Sequence, residues 1–164
     1  MRRPESKIMV LEQAIGWRQN LREAKHRLVV TNGCFDLLHR GHVEYLARSR
    51  EFGDALLVAI NSDTSISSIK GPTRPVVPEM DRAYLLASLE CVDAVVVFST
   101  AKATRILAAL APDIYVKGGD YNEDTIDREE YSVLKTIECT LKFVPFVAGF
   151  STTELIRKMC KIET

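Results

Sequence analysis

Apolar positions fall into two alternating rhythms along the chain, one helical and one of short unbroken runs. Ile8, Leu11, Ala14, Ile15 and Leu21 recur at helical spacing, interrupted at Gly16-Trp17, and predict an amphipathic lead-in helix from Ile8 to Lys25. Leu28 to Thr31 reads as a short buried strand, and Asn32-Gly33 as a turn. Gly41 to Phe52 predicts a helix with Val43, Leu46 and Ala47 turned to the core, ended by Gly53-Asp54. Ala55 to Ile60 is apolar throughout, as expected of a central parallel strand covered on both faces. Asn61 to Pro78, rich in Ser and Pro, reads as a long loop.

The second half repeats the rhythm. Glu79 to Leu89 predicts a helix with Tyr84, Leu85 and Ala87-Ser88-Leu89 inward or flanking, followed by a strand at Ala94 to Phe98. Ser99 or Thr100 is placed to cap a helix reaching Leu110. Ile114 to Val116 is another short strand, Asp127 to Ile137 a helix, Leu141 to Phe146 a last strand and Ser151 to Lys161 a closing helix. Strands alternating with helices of roughly ten to fifteen residues predict an α/β fold, a mostly parallel sheet with helices on both faces. Ligands of such sheets bind beyond the carboxyl ends of the strands. Four polar clusters fall at such ends: 32–42, 61–74, 117–120 and 149–153.

Composition narrows the class. The 164 residues suit one domain with a substantial core. The formal net charge is zero and charged residues make up 27%, which argues against a duplex nucleic-acid partner. No run of about 18 apolar residues is present, so no membrane span is expected, and no apolar stretch follows Met1-Arg2-Arg3 to make a secretory signal. Cys34, Cys91, Cys139 and Cys160 are dispersed without a CxxC pair, so reduced thiols in a cytoplasmic protein are expected.

The candidate chemistry concentrates in Asn32-Gly33-Cys34-Phe35-Asp36-Leu37-Leu38-His39-Arg40-Gly41-His42, which holds two of the chain's three histidines. His39 and His42, three apart, share a helical face. Imidazoles beside a helix N-terminus make a phosphate cradle, the alternative being a pair of satisfied structural histidines. Gly41 lets a ligand or a packed strand come close. A metal pair is disfavoured, since Asp36 is the one carboxylate nearby and zinc takes three or four ligands. Neither GxxxxGK[ST] nor GxGxxG occurs, which excludes a Walker A loop and an ordinary dinucleotide site. Cys34 lacks a base and orienter, so a buried thiol lining the turn is the better reading. Lys70 and Arg74 are either a solvated pair or phosphate ligands. Arg82 either meets an anion or pairs with Asp81 or Glu79. Lys117, followed by Gly118-Gly119, can bring an ammonium and backbone N–H groups to one oxyanion. Asp120 can orient a sugar hydroxyl or assist magnesium. Ser151-Thr152-Thr153-Glu154 reads as a capping box, with hydroxyls suited to phosphate.

Gly33 to His42 resembles the nucleotidyltransferase motif GxFDxxHxGH, and Ser151-Thr152-Thr153 resembles that superfamily's ISTT element, with Phe150 where some members carry isoleucine. Thr31 to Asp36, Lys70-Gly71-Pro72-Thr73-Arg74-Pro75 and Lys117-Gly118-Gly119-Asp120-Tyr121 are similar to the adenylyltransferase domain of bacterial ADP-heptose synthesis enzymes. The resemblance implies a Rossmann-like domain over 28–164 behind a lead-in segment, 1–27. It implies magnesium-dependent transfer of AMP from ATP to D-glycero-D-manno-heptose 1-phosphate, for lipopolysaccharide or another glycan. His39, His42 and Lys70 would act on the triphosphate. Asn32, Gly33, Cys34, Phe35, Gly41, Arg82, Lys117, Gly118, Ser151, Thr152 and Thr153 would bind nucleotide and phosphate. Asp36, Asn61, Arg74, Gly119 and Asp120 would face the acceptor, and Mg2+ would ride on substrate phosphates rather than on a protein site. A homodimer and a separate heptose kinase are the implied partners. Glycerol-3-phosphate cytidylyltransferases are the nearest alternative, and a non-catalytic nucleotide-binding module the alternative of another class.

Overall fold

The computed structural model describes residues 2–119, 125–145, 149–159 and 161. After a short 3-10 turn at Pro4–Lys7, the elements run β1 (Ile8–Met9), α1 (Leu11–Glu23), β2 (Leu28–Gly33), α2 (Arg40–Arg50), β3 (Ala55–Asn61) and α3 (Asp63–Lys70). There follow α4 (Glu79–Ala87), β4 (Ala94–Phe98), α5 (Thr104–Leu110), β5 (Ile114–Gly118), α6 (Arg128–Thr136), β6 (Thr140–Val144) and α7 (Thr152–Met159). The strands form one sheet, order β1-β4-β3-β2-β5-β6, and every described pairing is parallel.

Alternation along the central strands sorts the core into two layers. Leu28, Val30, Leu57, Val96 and Tyr115 pack with α1, α5 and α6 through Ala14, Ile106, Leu107 and Leu134. Val29, Leu56, Val58, Val95 and Val116 pack with α2 and α4 through Tyr45, Leu46, Ala83 and Leu86. Every residue of β3 is buried, as an unbroken apolar run requires of a strand covered on both sides. From β2 the chain winds one way through β3 and β4, then crosses back to place β5 on the other side of β2. The winding reverses between β2 and β5, and a crevice at their carboxyl ends is where this architecture takes ligands.

Several sequence expectations shift. The lead-in helix begins at Leu11, because Ile8 and Met9 pair with Val95 and Val96 as an edge strand. Ile15 on that helix is 41% exposed. Strand β2 continues through Asn32-Gly33, where a turn was expected. In α2 the inward stripe is His42, Tyr45, Leu46 and Ser49, spaced i, i+3, i+4, i+7; Val43 and Ala47 face outward. In α4, Arg82, Ala83, Leu86 and Ala87 are buried, whereas Tyr84 and Leu85 are exposed.

The stretch expected to be a loop from 61 to 78 contains α3. Its serines cap rather than break, the Ser62 hydroxyl accepting from the Ser65 N–H (3.2 Å) and Ile66 filling the core beneath. Neither Ser99 nor Thr100 caps α5. The Thr100 hydroxyl donates to the Lys102 carbonyl (2.7 Å), and α5 starts at Thr104. Helix α6 is capped by Asp127, which accepts from the N–H groups of Glu129 and Glu130. The last strand ends at Val144, and Phe146, expected to close it, lies outside the described residues.

Candidate active site

A cavity of about 510 Å3 opens beyond the carboxyl ends of β2 and β5. The N-terminal ends of α2 and α7 border it through Gly41 and through Ser151, Thr152 and Thr153, so two sets of helix-end N–H groups face one space. Lys70, last residue of α3, and Arg74 in the following loop line the same cavity. Three of the four polar clusters singled out by sequence, 32–42, 61–74 and 149–153, therefore line one hollow. The fourth contributes Gly118.

The two imidazoles stack with ring centroids 3.8 Å apart and planes 14° from parallel. Phe35 meets His42 edge-on at 5.2 Å, and Phe150 lies 6.2 Å from His39, completing a row of four rings. His39 is the N-cap of α2, its Nδ1 accepting from the His42 N–H (3.3 Å). That leaves Nε2 as the protonated, donating nitrogen of the neutral ring. His42 Nδ1 is sealed from solvent without a partner among the described residues, so Nε2 is again the nitrogen available to a ligand.

Burial drives the His42 pKa down to about 4, with the His39 ring and the Lys70 ammonium adding to the effect. Burial also lowers that of His39, against the pull of its own backbone. Both rings are neutral at pH 7. An anion placed beside them would favour the protonated form.

Glycines make this packing possible. A Cβ on Gly41 would sit 2.9 Å from Phe150 Cβ and 3.1 Å from the His39 ring, so the expected close approach is made by these two side chains. A Cβ on Gly33 would sit 2.9 Å from the Phe35 ring, which is buried on a left-handed backbone (φ 45). Tyr45, missed by sequence reasoning, forms part of the cavity wall. Its hydroxyl lies 2.6 Å from the Thr31 hydroxyl and donates to the Val116 carbonyl (3.0 Å). Burial pushes its phenol up to about 12. Its position three residues after His42, on the same helical stripe, was the signal available.

Several expected contacts with ligand are occupied by the protein itself. Asp36 accepts from Arg74 Nε (2.7 Å) and Nη2 (2.6 Å) and from the N–H groups of Val76 and Val77 (2.9 Å each). Burial pushes its carboxyl up, but Val77, Val76 and Arg74 together outweigh it and hold it below the ordinary carboxylate range. Asp36 and Arg74 line the cavity as a pair that pins the α3–α4 connection.

Arg82 is 1% exposed and lies outside the cavity lining. It donates to the carbonyls of Val77 (2.9 Å), Cys34 (2.5 Å) and Asn61 (2.9 Å) and to Asp63 (2.7 Å). Its carboxylate partner is thus Asp63, neither Asp81 nor Glu79, because the inward stripe of α4 carries it under the loops. Asn61 is also buried behind the lining, its Nδ2 donating to Ser65 Oγ (3.0 Å). Cys34 lines the cavity, with Asn61 Oδ1 4.0 Å from its Sγ.

Lys117 points to the α5–α6 side of the sheet, 3.0 Å from Asn32 Oδ1 and 2.9 Å from Glu130 Oε2. Gly119 lies just beyond β5, its N–H donating to the Val144 carbonyl (3.0 Å). Neither Lys117 nor Gly119 lines the cavity. Asp120 and Tyr121 lie outside the described residues. Lys70 is exposed at the cavity rim with no salt bridge among the described residues, so its ammonium is available.

The chain is similar to several known proteins. The bifunctional protein HldE of Koribacter versatilis is 47% identical over 150 residues, covering 91% of this chain and 29% of that protein. The HldE of Helicobacter pylori strain J99 is 45% identical over 154 residues, covering 93% and 31%. The chain thus spans about three tenths of the length of these curated relatives. Among solved structures, a lipopolysaccharide core biosynthesis protein of Thermoplasma volcanium is 29% identical with a TM-score of 0.60, over 74% of this chain and 97% of that one. A pantoate-β-alanine ligase of Francisella tularensis, 14% identical, shares the fold alone, with a TM-score of 0.56 over 94% and 78%. The family model described as cytidylyltransferase-like matches residues 30–158, a span holding the stacked histidines, Lys70 and the hydroxyls at the start of α7. The chain belongs to the cytidylyltransferase-like family.

Proposed function

We propose that this chain is a nucleotidyltransferase that moves AMP from ATP to D-glycero-D-manno-heptose 1-phosphate, releasing pyrophosphate and ADP-heptose. The observation that carries the reading is the stacked His39–His42 pair lining, with Lys70, a cavity bordered by the starts of two helices. The acceptor class is supported by the likeness to HldE proteins and by the Lys117-Gly118-Gly119-Asp120 string.

A sugar-phosphate oxygen attacks the α-phosphorus in line, and the bond from that phosphorus to the oxygen bridging to the β-phosphate breaks, carrying its electrons onto pyrophosphate. No protein group needs to form a covalent intermediate, so the chain's task is placement and charge neutralisation. The Nε2–H groups of His39 and His42 donate to phosphate oxygens, with Lys70 lining the same cavity. Ser151, Thr152 and Thr153 hold further phosphate oxygens at the α7 N-terminus. Magnesium would ride on the ATP oxygens and neutralise their charge, since the cavity carboxylate of Asp36 is spent on Arg74 and two backbone N–H groups.

The reaction needs a phosphorylated heptose, so a heptose kinase activity acts upstream of it. A cytoplasmic homodimer is the expected working form. Pyrophosphate release from a panel of triphosphates and acceptors tests the reading. Turnover with ATP and a heptose 1-phosphate is the expected result. Turnover confined to CTP and glycerol 3-phosphate, or nucleotide binding without turnover, would overturn it.

A further inference from the structure

Behind β2, on the sheet face opposite the histidines, lies a polar cluster that the mechanism above does not use. Glu130, 5% exposed on α6, accepts from Lys117 Nζ (2.9 Å) and from the Ala103 N–H (3.3 Å), with the Tyr115 hydroxyl 3.4 Å away. Tyr115 and Lys117 both also reach Asn32 Oδ1, at 2.6 and 3.0 Å. A lysine ammonium can only donate, so the atom facing it must be the carboxamide oxygen, and the orientation of Asn32 is fixed by chemistry. Its Nδ2 is thereby turned away from the cluster and has no partner among the described residues. Asn32 is a cavity residue at the reversal between β2 and β5.

We propose that Glu130 is a positioning residue: through Lys117 it holds the Asn32 carboxamide, which Tyr115 also grips, so that Nδ2 donates to a phosphate oxygen of the bound nucleotide. This rests on the nucleotidyltransferase reading of the cavity. The ammonium is paired with the carboxylate at 2.9 Å, so the donor stands on a buried, ion-paired mount. Glu130 is three residues after the helix cap Asp127, a position whose acidic residue ordinarily serves the helix start. Here its side chain leaves that role and reaches across to β5.

The test is a double-mutant cycle read by pyrophosphate release. Asn32→Asp keeps an oxygen for Lys117 and Tyr115 but removes the donor, and it lowers kcat by about a hundredfold. Glu130→Gln lowers kcat by about tenfold through misplacement. The double variant is no slower than Asn32→Asp alone, because both act through one group. A structural role for Glu130 alone gives independent losses that multiply, and that result, or wild-type turnover in Glu130→Gln, overturns the proposal. Should Glu130→Gln fail to fold, Tyr115→Phe, which removes one bond to Asn32 and keeps the ion pair, takes its place in the cycle with the same two outcomes.

The side-chain amide resonances of Asn32, identified by their loss in Asn32→Asp, give a readout independent of turnover. They shift on adding magnesium-ATP to the wild type and respond less in Glu130→Gln. An equal response in both proteins overturns the proposal even if no acceptor is turned over, and absent turnover by itself bears on the proposed function alone.

Discussion

At the scale of single residues, the account turns on two imidazoles held in contact by burial. His39→Ala and His42→Ala should each lower turnover by about a hundredfold while leaving the fold intact, since each removes a donor to developing charge. An unchanged rate in either variant would remove that residue from the mechanism. Burial of His42 also makes stability depend on pH. Its pKa falls from an ordinary 6.5 to about 4 on folding, so between these values the unfolded chain binds a proton that the native protein does not. Its contribution is full above pH 6.5 and is lost as the pH falls toward 4. Urea unfolding at pH 7 and pH 5 should show a larger loss in the wild type than in His42→Ala, and equal losses would contradict the burial. Cys34→Ser should keep most of its activity, because the thiol makes only a weak contact among the described residues, with Asn61 Oδ1 at 4.0 Å. Near-total loss in a folded variant would make the thiol a participant.

At the scale of elements, the site depends on how α3, α4 and the loop between them are tied to the motif at the end of β2. Arg82 joins Cys34, Asn61, Asp63 and Val77, while Asp36 fastens Arg74 and the 76–77 backbone. Arg82→Ala would strand three carbonyls and release Asp63, costing about 3 kcal/mol. A loss below about 1 kcal/mol in urea unfolding would contradict that role. This knot marks where the sequence stopped being readable. The arginine could be seen to sit near a helix start, but its partner is Asp63, 19 positions earlier, across a segment read as loop. Helix α3 is hard to see in the sequence because serine caps its start and its one wholly buried apolar side chain is Ile66. The stripe of α2 was misplaced by one position because His42, a polar residue, heads it. By contrast, β2 to β5 were legible as apolar runs, since burial on both faces leaves little choice of residue. Glu130 was hidden by its place in an ordinary helix start.

At the scale of the whole molecule, the parallel sheet supplies a floor and the reversal between β2 and β5 supplies the opening. Clusters far apart in sequence meet there because each follows a strand whose carboxyl end points the same way. The third histidine, His26, lies exposed at the amino end of β2, at the opposite edge of the sheet. It is a built-in control for the most direct test, which is to titrate the three histidine Cε1–H resonances with pH, with and without magnesium-ATP. The account predicts that ATP shifts the His39 and His42 signals and raises their midpoints while His26 is unmoved. If ATP binds and the signals of His39 and His42 stay where they were, the imidazoles do not meet the phosphates and the proposed chemistry is contradicted.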